Sequence, residues 1–420
     1  MARAGYLAAV VAMVAWVMAA AGADGAGENW PQFRGPRGMG ITAEKKLPVE
    51  WGGEKDGGGK NVVWKSPVKW QGNASPIVWG EKVFVLGVAW PLKGKDVPEH
   101  HVSCYSTKDG AVLWDTAVEP GPWALTDHRA GAGGGYASVT PATDGKRVYC
   151  VFGSAVIAAL DMEGKQVWRH EIAPRSFDVA MGTSPIVYGD TVVLANLMNK
   201  DSKLVAYEGA TGEVKWQKPL TSGFGHSTPA VIEVAGKPQM LLAAGGALQS
   251  FDPASGEKLW WCKGSTDTAS PVFADGLAYF DNGRGGAGTV VEATGAGDVT
   301  KTNKKCDIAV GGEGLGSPVI SGKLLYRLVG STLKCWEPDT GKPVFEQKLD
   351  KLSGTWASPI VDGEGRIFYA TAGKSYVIQG GREFKVLGVN DLGDGNQASP
   401  AVAGGRMYLL GTKRIYCIGG

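Results

Sequence analysis

Eight times along the chain a Ser-Pro or Thr-Pro pair introduces a short apolar run, and the spacing of these pairs limits what the chain can fold into. The prolines are Pro76, Pro141, Pro185, Pro229, Pro271, Pro318, Pro359 and Pro400, separated by 65, 44, 44, 42, 47, 41 and 41 residues. One interval stands apart. The others suit a unit of about four short strands joined by tight turns. After each proline comes a strand such as Ile77-Val78-Trp79, then a Gly or Asp/Gly turn, then a second apolar run, for example residues 83–86, 192–195 or 407–410. These second runs are nearly continuous rather than alternating, which predicts strands buried on both faces.

A sharper signature marks the hairpin between the third and fourth strands. It reads Ala206-x-Glu208-x-x-Thr211-Gly212-x-x-x-Trp216 and Ser250-x-Asp252-x-x-Ser255-Gly256-x-x-x-Trp260. The same spacing runs from Cys104 through Gly110 to Trp114 and from Cys335 through Gly341 to Phe345, and one residue shorter from Ala159 through Gly164 to Trp168. Glycine supplies the positive φ the turn requires, and the acid can accept hydrogen bonds from turn amides. The aromatic on the outer strand is placed to pack on the neighbouring sheet.

Four-stranded units at this period predict an all-β chain, an eight-bladed β-propeller of four-stranded antiparallel blades. Proline fits at the start of each innermost strand, where it blunts an edge against further pairing. The last unit stops after its third strand, residues 414–418. Residues 61–68 carry the missing outer-strand pattern, including Trp64, so an N-terminal strand is expected to complete the C-terminal blade and close the ring. The propeller then spans residues 61–420, preceded by an irregular arm over residues 24–60.

The hairpin pattern, preceded by a Ser-Pro strand, resembles the pyrroloquinoline quinone (PQQ)-like repeat over residues 61–420. The arm segment Asn29-Trp30-Pro31-Gln32-Phe33-Arg34-Gly35-Pro36 is similar to the lead-in of secreted bacterial proteins with this repeat. The resemblance implies one of two kinds of function. One is a non-catalytic binding or assembly module, like the lipoprotein of the outer-membrane barrel assembly machine. The other is a PQQ- and calcium-dependent quinoprotein oxidoreductase of the alcohol or sugar dehydrogenase type. Fold alone does not choose between them.

Residues 1–23 have the layout of a signal peptide: Arg3, an uncharged apolar run, then Ala21-Gly22-Ala23. The expected location is the periplasm or the exterior. The run is shorter than the ~20 residues of a spanning helix, and no later stretch is long enough, so no membrane span is expected. Lys plus Arg number 43 against 41 Asp plus Glu, with no single-sign block, which argues against nucleic acid as a partner. Gly plus Pro make up 86 of 420 residues, below the ~25–30% that signals disorder.

Propeller topology places the residues just before each proline at the channel mouth. The expected ligand-binding ring is Asn73, Tyr136, Met181, His226, Asp267, Glu313, Trp356 and Asn396. The anomalous first interval puts extra length at residues 89–101 and 119–135, which should project from the same face with Trp90, His100, His101, Trp123, Asp127, His128 and Arg129. Trp90, His101, Trp123, His128 and Arg129 are the expected partner-binding groups. The Gly-rich stretch of residues 281–288, with Arg284, should also lie there. The ligand would be a protein, a glycan or a small molecule, and outer-membrane assembly proteins are among the partners the resemblance implies.

For the quinoprotein alternative, Trp356 would form the floor under PQQ, Glu313 and Asn396 would hold calcium, and Asp267 would be catalytic. Against it, no two cysteines are adjacent, whereas many such enzymes carry a disulfide between neighbouring cysteines over the quinone. No Asp-rich loop of calcium-binding spacing appears either. The expected reading therefore has no catalytic residues, no metal and no cofactor. The five histidines show no zinc spacing. No G-x-S-x-G elbow, P-loop or dinucleotide fingerprint occurs in the required context. Of the six cysteines, Cys104, Cys335 and Cys417 share a third-strand slot where other units place Ala or Ser, which reads as packing. Cys262 and Cys306, ending successive outer strands, are the one pair positioned for a disulfide, and the sequence does not fix whether it forms.

Overall fold

The computed structural model describes residues 29–92, 97–125, 132–173, 181–198, 200–221, 223–350, 352, 356–395 and 397–420. Residues 1–23, with their signal-peptide pattern, lie outside them, as do Asp127, His128, Arg129 and Asn396.

Eight antiparallel sheets follow one another in chain order, each with at least four strands. Blade 1 consists of Ile77–Trp79, Lys82–Val88, His100–Ser106 and Val112–Val118. Blade 8 consists of Ala401–Ala403, Arg406–Leu410 and Arg414–Ile418, and its outermost strand is Val62–Pro67 from the other end of the propeller. Val62 pairs with Ile418 and Pro67 with Arg414, so the ring closes as expected. Blades 4 and 7 each gain an outer parallel piece. Gly297–Asp298 lies beside Trp260 and Trp261, and Gly52–Gly53 lies beside Asp391. Among the described residues the only helix is the 3-10 turn Ala132–Gly135, and no helix is long and apolar enough to cross a membrane.

Burial grades outward through each blade. All six residues of the second strand Thr191–Asn196 are buried, whereas the fourth strand Val214–Pro219 alternates between exposed and half-buried. The blades are fastened to one another by the hairpin signature. Trp64, Trp114 and Trp168 donate Nε1–H to the carbonyls of Thr107, Met162 and Gly209 in the next blade's hairpin, at 2.9, 3.0 and 2.9 Å. Their rings lie over the turn glycine. At Gly110 (φ +74°) a Cβ would stand 2.5 Å from Trp64, and at Gly164 (φ +88°) 2.6 Å from Trp114. Glycine is thus required there both for the turn and for the aromatic that covers it. Cys306 holds the tryptophan slot of blade 5 and faces Gly341 of blade 6. All six thiols are free, so the Cys262–Cys306 pairing does not occur. Burial pushes the thiols of Cys104, Cys150, Cys335 and Cys417 up to about 12.

A second set of fasteners encircles the axis. The backbone N–H of Ser75 donates to Thr140 Oγ1, Thr140 to Ser184, Ser184 to Thr228, and so on through Ser270, Ser317, Ser358 and Ser399. Ser399 then donates to Ser75 Oγ and completes an eight-membered buried circle with bonds of 2.9–3.1 Å. The hydroxyl residue before each proline is therefore a ring-closing acceptor. The proline holds its predecessor extended so that the amide reaches the next blade.

The N-terminal arm is more ordered than the sequence led us to expect. From Asn29 onward it crosses the end of the channel opposite the hydroxyl-flanked mouth, touching one innermost strand after another. Trp30 pairs with Val78, the Pro31 carbonyl accepts from Thr143, and Gln32 Oε1 accepts from Val187 N–H. Arg34 donates to the Pro318 carbonyl, and Gly40 and Thr42 bond to Val361. Trp30, Gln32, Arg34 and Met39 are all buried. The arm plugs the channel and turns the ring into a cup.

Candidate functional site

The inner strands run from the plug to the hydroxyl circle, and beyond the circle the mouth opens into a cavity of about 440 Å³. Seven of the eight ring hydroxyl residues line its base, joined by Phe33 of the arm. The wall contains Asn73, Met181, His226, Glu313 and Trp356 from the expected ring. Phe224 and Leu315 also line it and were not singled out by counting back from the prolines.

Three expected members differ. Tyr136 is fully buried in the core between blades 1 and 2, where its hydroxyl accepts the Leu125 N–H at 2.7 Å, and Ser138 takes its place on the wall. Asp267 does not line the cavity. It is tied down beside it, its carbonyl accepting from His226 N–H and its carboxylate accepting from Arg284 Nε at 2.6 Å. Asn396 lies outside the described residues, and its neighbour Gln397 lines the cup and accepts the Trp356 N–H.

Arg284 reaches the wall from the Gly-rich turn after Asp281. That turn is shaped by Asp281, which accepts from Gly283 N–H and Tyr279 O–H and pairs with Arg327. Arg284 Nη1 also lies 3.6 Å from Glu313 Oε2. One guanidinium thus bridges both Asp267 and Glu313. Those are the acids that the quinoprotein reading assigns to catalysis and to calcium, and a cation already engages both. Trp356 lines the cup but remains 44% exposed, and the base is formed instead by the hydroxyl circle and Phe33. Among the described residues no group of three His, Cys, Asp or Glu side chains is placed to hold a metal ion.

The expected partner-binding residues of blade 1 divide. His100 and His101 are not loop residues but begin the third strand, paired with Val88 and Gly87. His100 is fully buried, stacked on Phe152 at 4.5 Å, with Nε2 2.6 Å from Ser154 Oγ, and burial lowers its pKa to about 3. His101 stacks on Trp70 at 3.6 Å and sits 3.3 Å from Asp115, and burial shifts it downward as well. Trp123 is half-buried against the core between blades 1 and 2, so it too is largely a packing residue. Trp90 packs partly on the same core and also lines a groove of about 320 Å³ with Trp70, Pro91 and Pro98.

A closed ring of eight four-stranded blades carrying the Trp-on-Gly hairpin places the chain among the PQQ-like repeat β-propellers. Residues 57–296 match the family model described as outer membrane protein assembly factor BamB, and the chain belongs to that family. It is 23% identical over 254 residues to the outer membrane protein assembly factor BamB of Bordetella pertussis, an alignment covering 57% of this chain. The match spans 62% of that relative's length. Among solved structures, BamB from Moraxella catarrhalis superposes with a TM-score of 0.60 at 13% identity, over 86% of this chain and 97% of the other. A europium-containing methanol dehydrogenase gives 0.65 at 13% identity, over 93% and 89%. The quinohemoprotein alcohol dehydrogenase from Comamonas testosteroni gives 0.67 at 14%, over 93% and 81%. At such identities these superpositions speak for the fold alone.

Proposed function

We propose that this chain is an exported, non-catalytic propeller whose cup face docks a protein of the outer-membrane assembly machinery. The observation that carries the reading is Arg284, held between Asp267 and Glu313. Among the described residues it is the one Arg or Lys lining the cup, and it is ion-paired on both sides. An anionic quinone would therefore find no unpaired Arg or Lys among the described lining residues, and a calcium ion on these acids would have to displace a guanidinium. A rim that combines Trp356, Phe224 and Leu315 with amides and an ion-paired Arg284 suits protein side chains, since aromatic anchors beside satisfied polar groups dominate such contacts. The arm supports the same reading, because a plugged, hydroxyl-fastened ring is a rigid platform that pays little ordering entropy on binding.

The test is a titration with PQQ and calcium followed by tryptophan fluorescence. The expected result is no saturable change at micromolar quinone. Micromolar binding that disappears in Trp356→Ala would replace this reading with the oxidoreductase.

A further inference from the structure

Arg34 is the most buried cation of the arm, at 2% exposure. Its Nη2 donates to the carbonyls of Met39 and Pro318, while Nε and Nη1 have no partner among the described residues. Burial and the charge of Arg327 draw its pKa down to about 9, which leaves it protonated at neutral pH. A buried guanidinium met only by carbonyls keeps its full charge, and leaving such a charge uncompensated is among the costliest arrangements in a protein interior.

The surroundings of Arg34 depart from the repeat in a consistent way. The pairing of Val319 with Tyr326 sets Pro318 beside Arg327 in blade 6, and the pairing of Ile360 with Phe368 sets Pro359 beside Tyr369 in blade 7. Arg34 bonds to the Pro318 carbonyl, and a Cβ on Gly40 would stand 2.7 Å from the Pro359 carbonyl and 3.0 Å from Arg34 Nη2. The guanidinium therefore lies where these two blades meet. The other six blades place Val85, Cys150, Leu194, Leu242, Phe280 and Leu409 at the same position. Only the two blades flanking Arg34 carry polar side chains there. Both are buried, and both offer a donor with no partner among the described residues, Arg327 Nε and Tyr369 O–H. Among the described residues Asp281 is the one carboxylate paired with Arg327, so there two guanidiniums share a single counter-charge.

We propose that Arg34, Tyr369 and Arg327 form a buried site for one small monovalent anion of the halide class, held between the N-terminal plug and blades 6 and 7. Four donors on three side chains supply the hydrogen bonds, and the anion supplies the missing charge. The site joins the arm to the ring, so occupancy stabilises the plugged form. This inference is independent of what the cup binds.

The test uses the full mature chain with chloride varied against gluconate at constant ionic strength, and crystals grown in sodium bromide. The expected results are a Tm that rises saturably with chloride and an anomalous bromide peak within hydrogen-bonding distance of Arg34 and Tyr369. Tyr369→Phe should fold, because Phe280 fills the equivalent slot in blade 5, and should move the chloride midpoint up about tenfold by losing one donor to a charged acceptor. A Tm indifferent to chloride, a chloride response unchanged in Tyr369→Phe, or a site holding only water in the bromide crystals would each overturn the proposal.

Discussion

Trp64→Ala removes the aromatic latch where the two ends of the propeller meet. Trp64 is 8% exposed, lies over Gly110 of blade 1, sits 6.0 Å from the Tyr408 ring and donates Nε1–H to the Thr107 carbonyl. A tryptophan buries about 200 Å², which at ~25 cal/mol per Å² is worth roughly 5 kcal/mol as an upper value. Partial collapse around the gap recovers some of this, and the expected loss is about 3–5 kcal/mol, in the range measured for buried aromatic deletions. Equilibrium urea unfolding followed by circular dichroism gives the number. Leu113→Ala, at a position 48% exposed on the outer strand of blade 1, is the control and should change stability by less than about 0.5 kcal/mol. If Trp64→Ala behaves like the control, Val62–Pro67 does not close the ring.

Acid should weaken the fold through His100. Burial lowers its pKa to about 3 in the folded chain from 6.5 for a free imidazole, so its contribution is complete above pH 6.5 and is lost as pH falls from 6.5 toward 3. Between pH 7 and 5 this amounts to about 2 kcal/mol, and His100→Gln should flatten that part of the stability profile. Ser75→Ala should cost about 1–3 kcal/mol by stranding the buried Ser399 amide. Ser75→Thr should restore most of that in thermal unfolding, since Thr140 and Thr228 serve the same role in the circle.

The repeat was legible because every blade solves the same packing problem with the same residues. The Ser/Thr-Pro anchors, the apolar second strands and the Gly-x-x-x-Trp hairpins reported blade number, strand order and closure without reference to tertiary contacts. The hydroxyl circle was written in the same anchors but is not legible locally, because its partners lie 41–65 residues apart, and 324 apart where the circle closes, and nothing local distinguishes an acceptor from a turn-former. The course of the irregular arm across the blades was not legible for a similar reason. Trp30, Gln32 and Arg34 each answer a different blade, so the segment has no periodicity of its own. Tyr136 was misplaced because the segment before Pro141 makes an additional turn, and counting back from the proline landed on a core residue. His100 and His101 were assigned to a loop because a long insertion hides the point where the third strand begins.

Calorimetric titration of the chain with the purified periplasmic portion of the outer-membrane assembly machinery tests most directly the proposal that the cup face docks a protein of that machinery. The account predicts saturable binding that weakens about tenfold or more when Trp356 and Phe224 are both replaced by alanine. Absence of binding, or binding indifferent to both substitutions, would contradict it.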